Sequence, residues 1–169
     1  MNVTEDRFRW KRAFRSVLAL PFRGEVTPMS VLEDKDAIRE VMAAYCHALD
    51  ACRFAEVARL FAEDAVWTTD YGEAKGRKAI EAMFRSVVPV KGEGPQRKHY
   101  ITNVIIKVEG DQASSVSDYL VVRENGPDLI PVMGGTYKDQ WVRQDGTWRF
   151  ARKELVHDIA GDMALKNRR

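Results

Sequence analysis

The sequence predicts an α+β domain, and three observations point to it. Apolar residues recur at helical spacing before Pro89, β-branched runs dominate after it, and Gly-bearing turns divide those runs. Helices followed by an antiparallel meander imply a curved, mostly antiparallel sheet wrapped around three N-terminal helices. Such a cone-shaped α+β barrel encloses the kind of concave pocket that small ligands use.

The elements follow in order. Ile38, Val41, Met42, Tyr45 and Leu49 form one stripe, which predicts a first helix over 34–50. Phe54, Val57, Ala58 and Phe61 repeat the spacing in a shorter helix, and Ala65–Thr69 reads as a strand. Gly72 and Gly76 punctuate the next stretch, and Ile80, Met83, Phe84 and Val87 mark a third helix. From Lys98 onward long strands alternate with the turns Glu109-Gly110-Asp111, Asn125-Gly126-Pro127 and Asp145-Gly146-Thr147. Asp-Gly between strand-like runs is a strong hairpin signal.

At 169 residues, 45% hydrophobic and 31% charged, the chain suits one globular domain with a real core. A net charge of +2 gives no nucleic-acid footprint, and no apolar run is long enough to span a bilayer. Cys46 and Cys52 make no disulfide framework, so reduced thiols and a cytoplasmic location are expected. Residues 1–28 stand apart, with six basic residues against three acidic ones, a net of +3. Trp10, Phe14, Val17 and Leu18 fall at helical spacing there, so the segment reads as a basic amphipathic arm preceding a domain over 29–169. A docked arm, a mobile tail, a membrane-surface helix and an upstream start all remain open for it.

The most informative strand begins at Lys98-His99-Tyr100. Strand alternation puts His99, Ile101, Asn103 and Ile105 on one side, with two polar groups on an apolar face. Histidine moves protons near neutral pH. Asp50 stands where the first helix stops, and a carboxylate there meets the negative end of the helix dipole. An imidazole would hold it. Tyr45 lies on the apolar stripe, and five residues of helix turn through about 500°, so Tyr45 and Asp50 share a face only if the helix ends before Asp50. Asp118 alternates with Val116 and Leu120, and Arg152 with Trp148 and Phe150. A buried charge needs a partner, so these two are expected either to pair or to meet substrate. Tyr137 offers a hydroxyl whose side of its strand stays open, and His157 is placed beyond the last strand, outside the site.

The order Tyr45-x-x-x-x-Asp50, Phe61-Ala62-Glu63-Asp64-Ala65-Val66-Trp67, Gly76-Arg77, His99-x-x-x-Asn103, Gly134-Gly135-Thr136-Tyr137 and Gly146-Thr147-Trp148-Arg149-Phe150 resembles the SnoaL-like group. That group belongs to the nuclear-transport-factor-2-like superfamily, and the match covers roughly residues 30–155. Its members include hexachlorocyclohexane dehydrochlorinase, bile acid dehydratase and scytalone dehydratase. The resemblance implies that Asp50 and His99 carry proton abstraction in an elimination, with Tyr45 assisting. Asn103, Asp118, Tyr137, Arg152 and Trp67 are the candidate substrate contacts; Asn103 can equally bond backbone near the sheet edge, and the resemblance favours Arg152, since the bile acid dehydratase also uses an arginine late in its sheet. Tyrosine at position 45, where the dehydrochlorinase has lysine, favours loss of water or a proton shift over dehalogenation.

The sequence carries no His-x-x-x-His or Cys-x-x-Cys pair, no phosphate loop and no serine elbow, so neither metal nor cofactor is expected. The reading is a cofactor-independent lyase or isomerase acting on an apolar cyclic molecule. The alternative is a non-catalytic binding module or a structural subunit of a ring-hydroxylating dioxygenase. Trp141 and Val142 alternate on one strand, and a sheet apolar on both sides must bury its outer face. A homo-oligomer is therefore expected, with a trimer preferred by resemblance and a dimer as the other option.

Overall fold

The computed structural model describes residues 30–70 and 72–161; the proposed arm at 1–28 lies outside them. In chain order the elements are α1 (Val31–Asp50), α2 (Phe54–Arg59), β1 (Phe61–Thr69), β2 (Gly72–Lys75), α3 (Arg77–Val87), β3 (Arg97–Glu109), β4 (Gln112–Asn125), β5 (Asp128–Gln144) and β6 (Thr147–Ala160). They form one six-stranded sheet of order β2-β1-β6-β5-β4-β3. Every pairing is antiparallel except β1 with β6, which is parallel. The α+β cone expected from the sequence is the fold.

Helix α1 starts before the apolar stripe because Ser30 and Glu33 form a reciprocal capping box. The Ser30 N–H donates to Glu33 Oε2 at 2.6 Å, and the Glu33 N–H donates to Ser30 Oγ at 3.3 Å. Its first turn is tied to the far hairpin through Asp34. That buried carboxylate accepts from Arg143 at 2.6 and 3.0 Å and from the Trp148 indole at 2.9 Å. Trp141 and Trp148 both face inward, and Val142 packs against the same core. The Asp145-Gly146 turn has φ of 50° and 72°, the left-handed pair that a two-residue hairpin requires.

The sheet is bent by local register shifts between Thr102 and Ile105, Val121 and Val122, Gly134 and Gly135, and Gln140 and Trp141. Each extra residue kinks its strand and reverses which side chains face the core. Two expectations fail for this reason. Asn103 adopts φ 51° at the first shift, so Val104, Ile106 and Val108 turn toward the core while Asn103 and Ile105 point outward. At the last shift Trp141 pairs with Phe150 but Gln140 pairs with Arg152. Ala151 is therefore the extra residue, and Lys153, not Arg152, continues the buried face of Trp148 and Phe150.

Lys153 is fully buried against a fully buried Asp139, with Nζ 3.2 Å from Oδ1. The ammonium also lies 3.5 Å from the Tyr137 ring centroid and 4.8 Å from those of Tyr45 and Phe150. Burial pushes Lys153 below and Asp139 above their ordinary pKa ranges, while their mutual attraction opposes both shifts. Nothing in strand alternation announces this pair, because the shift at Ala151 creates it.

Candidate active site

The inner face of the sheet and helices α1 and α3 enclose a cavity of about 380 Å³. Its wall is mostly apolar, with Leu49, Phe84, Val121 and Leu155 among the lining side chains. Tyr45, Trp67, Arg97, His99, Tyr119, Tyr137 and His157 place polar atoms in that wall. Few polar groups in an apolar bowl is the usual form of a small-molecule site.

His99 reaches the wall from β3, an edge strand of the sheet. An edge strand presents N–H groups that no neighbouring strand pairs. Asp50 answers one of them: the His99 backbone N–H lies 3.2 and 3.3 Å from its two oxygens. The same carboxylate lies 2.7 Å from His99 Nδ1 and 3.5 Å from the ammonium of Lys98. Only about 5% of the Asp50 side chain and 9% of the His99 side chain are exposed. The carboxylate at the unfavourable helix end is thus held as its position demands.

The helix does not end before Asp50. It runs through it, so Asp50 leaves the stripe of Tyr45 and lies with Arg39, Met42, Ala43, Cys46 and His47 in a groove facing β3. Asp50 therefore grips His99 from behind the cavity wall. A carboxylate only accepts, so Nδ1 carries the hydrogen, and in the neutral ring Nε2 carries the lone pair on the edge away from Asp50.

Tyr45 is buried in the cavity wall, packed edge-on against Phe61, Phe84, Tyr137 and Phe150. Burial, chiefly, pushes its phenol far above the ordinary tyrosine range, with the Trp67 indole favouring the anion slightly. Tyr45 is therefore held as the neutral phenol. Tyr137 is equally buried, its acidity lowered by the same cause, and stacks on Tyr119 at 4.4 Å.

Trp67 and Tyr137 lie in the cavity wall, whereas Asn103, Asp118 and Arg152 do not. Asn103 and Asp118 are exposed and bond each other, Nδ2 to Oδ2, at 2.6 Å on the outer side of the sheet. Arg152 is half-buried beside Gln140 and absent from the wall, and it does not pair with Asp118. Two wall residues escaped the sequence reading. Arg97, buried and two positions before His99, is pushed below its ordinary pKa mainly by burial. Alternation from His99 was the signal that could have found it. His157 lies within β6 and lines the cavity, because that strand runs farther than its apolar pattern suggests.

A curved sheet holding a mostly apolar cavity with a buried carboxylate–imidazole contact has the form of a small-molecule site on an α+β cone. The chain belongs to the SnoaL-like domain family, whose sequence model matches residues 30–154. An NTF2-like protein with a cystatin-like fold from Novosphingobium aromaticivorans superposes with a TM-score of 0.71 at 22% identity, over 95% of both chains. A putative scytalone dehydratase from the same organism gives 0.63 at 26% identity, over 82% of this chain and 96% of that one. The β subunit of a putative aromatic-ring-hydroxylating dioxygenase, again from that organism, gives 0.65 at 22% identity, over 76% and 92%.

Proposed function

We propose that this protein is a cofactor-independent lyase or isomerase, in which His99 and Asp50 take a proton from an apolar cyclic substrate. The observation that carries this reading is the 2.7 Å contact between His99 Nδ1 and Asp50, made by a histidine on the cavity wall. Asp50 fixes the tautomer, and Nε2 accepts a proton from carbon beside an activating carbonyl. The C–H electron pair then forms a C=C bond as hydroxide leaves, or forms an enolate that is reprotonated at another carbon. A positioned base of this kind contributes typically ~10²–10⁴-fold. Tyr45, kept neutral by burial, donates to the oxygen on which charge collects. The likeness to a putative scytalone dehydratase favours dehydration among these outcomes.

The competing reading is a binding module or a non-catalytic subunit, which the same fold also serves in the dioxygenase β subunit. Turnover separates the two. A panel of cyclic β-hydroxy ketones is incubated with wild type and with His99→Gln, each first checked for folding. Loss of water from one member by wild type alone supports the lyase, and equal rates with both proteins leave the binding module.

Tyr100, Leu120 and Ile159 fall in one cross-strand row with Gly134 on the outer face, each more than 40% exposed. We infer that a second copy of the chain covers this row, in a trimer or a dimer.

A further inference from the structure

Two cross-strand rows share the inner face of the sheet. Ser117, Tyr137 and Leu155 form one, and Ser115, Asp139 and Lys153 form the next, two residues along each strand. Tyr137 and Leu155 line the cavity, whereas the Asp139–Lys153 pair lies behind the lining, fully buried. Both oxygens of Asp139 accept from Lys153 Nζ, at 3.2 and 3.3 Å, which fixes where the ammonium sits. It lies 3.5 Å from the Tyr137 ring centroid, and the Tyr119 ring stacks on Tyr137 at 4.4 Å. A stacked ring and a buried cation thus hold the Tyr137 side chain in place.

The polar part of this side chain is a hydroxyl in an apolar wall. Tyr137 is 1% exposed, and its hydroxyl has no hydrogen-bond partner among the described residues. A polar group at that depth is ordinarily bonded, and one left unmet costs stability. Burial first, then the neighbouring Tyr45, pushes its phenol well above the ordinary range, so Tyr137 keeps its hydrogen. An acceptor entering the cavity would satisfy it. The ammonium favours the same outcome, because a cation against a ring draws on its π-electrons and leaves the hydroxyl a stronger donor.

We propose that Tyr137 is the hydrogen-bond donor that holds the oxygen of a cyclic ketone in this cavity, and that Lys153 is a positioning residue behind it, fixing the ring and strengthening its hydroxyl. The proposal rests on the reading of the cavity as a small-molecule site, and not on His99 as the base. A phenol donor polarises a carbonyl without losing its proton, so binding alone reads it.

1-Indanone and indane make the test, since they share a ring system and differ in one accepting oxygen. Wild type, Tyr137→Phe, Tyr45→Phe and the double variant Lys153→Met with Asp139→Leu are compared by calorimetry, and the carbonyl stretch of bound 1-indanone is read by infrared difference spectra. Wild type should prefer 1-indanone and lower its carbonyl frequency. Tyr137→Phe, which keeps the ring, should lose about tenfold in 1-indanone affinity, return the band toward its free position and leave indane unchanged. The double variant leaves no buried charge alone and keeps the hydroxyl. It should lose about threefold on 1-indanone alone and return the band part of the way, which keeps the test decisive if Tyr137→Phe folds poorly. Wild type holding 1-indanone no more tightly than indane, including no detectable binding of either, overturns the proposal. So does a carbonyl shift that survives Tyr137→Phe whole, or one that is lost only in Tyr45→Phe. A shift kept in full by the double variant overturns the part given to Lys153. Hydrogen exchange at C2 of 1-indanone reads His99 separately: exchange that persists in His99→Gln removes the base and leaves the oxygen donor standing.

Discussion

Asp50 and His99 are joined twice, since the same carboxylate takes the backbone N–H of His99 at 3.2 Å and its ring nitrogen Nδ1 at 2.7 Å. The first contact fixes where the strand edge lies against α1, and the second fixes how the ring is turned. Fold and site thus meet in one carboxylate, whose loss should loosen the ring before it loosens the domain.

Tyr45→Phe should lower turnover by roughly tenfold while leaving the base in place, because it deletes one donated hydrogen bond. The ring stays packed among Phe61, Phe84, Tyr137 and Phe150, so the thermal midpoint should move little. A loss as large as that of His99→Gln would make Tyr45 part of the proton path.

Breaking the buried pair on one side only, as in Lys153→Met, should destabilise by about 3–5 kcal/mol, since Asp139 is left as an uncompensated buried charge. Replacing both residues, Lys153→Met with Asp139→Leu, should restore most of that loss. The pH dependence has a defined sign. A raised Asp139 pKa means that the folded state binds the extra proton, so stability relative to the double variant falls as pH rises from about 3.8 through the folded value. A lowered Lys153 pKa means that the unfolded state binds more protons, so relative stability rises again between the folded value and 10.5. Urea midpoints across pH read both limbs, and a flat difference would contradict both shifts.

Sedimentation velocity at micromolar concentration should show a trimer or a dimer, and Leu120→Lys should shift it to monomer. Leu120 sits in the middle of the exposed outer row, so a charge there is desolvated only if the row is covered. A wild-type monomer ends the oligomer reading.

A chain shortened to begin at Met29 should keep small-molecule binding, because every cavity-lining side chain named above lies beyond residue 44. A shortened chain that folds but no longer binds 1-indanone would place the basic arm in the site.

The helices and hairpin turns were legible because their signals are local. Tyr45 and Leu49 repeat at helical spacing, and Asp145-Gly146 has the residues that its turn demands. Asp50 and His99 were legible because each was out of place alone. His157 was missed because β6 runs past its apolar pattern, whereas Asn103, Arg152 and Lys153 were misplaced or missed for one shared reason. A strand is read by alternation, and one extra residue inverts every assignment beyond it. The shifts at Asn103, Ala151 and Asp158 answer to sheet curvature, a tertiary property that no neighbouring residue announces.

The most direct test of a His99–Asp50 base is hydrogen–deuterium exchange at C2 of 1-indanone, followed by proton NMR with wild type, His99→Gln, Asp50→Asn and the double variant. Residues that act as one unit are strongly non-additive. His99→Gln should lose about 10²–10⁴-fold and Asp50→Asn somewhat less, with the double variant no slower than His99→Gln alone. Exchange at the wild-type rate in His99→Gln, or losses that multiply in the double variant, would contradict the dyad.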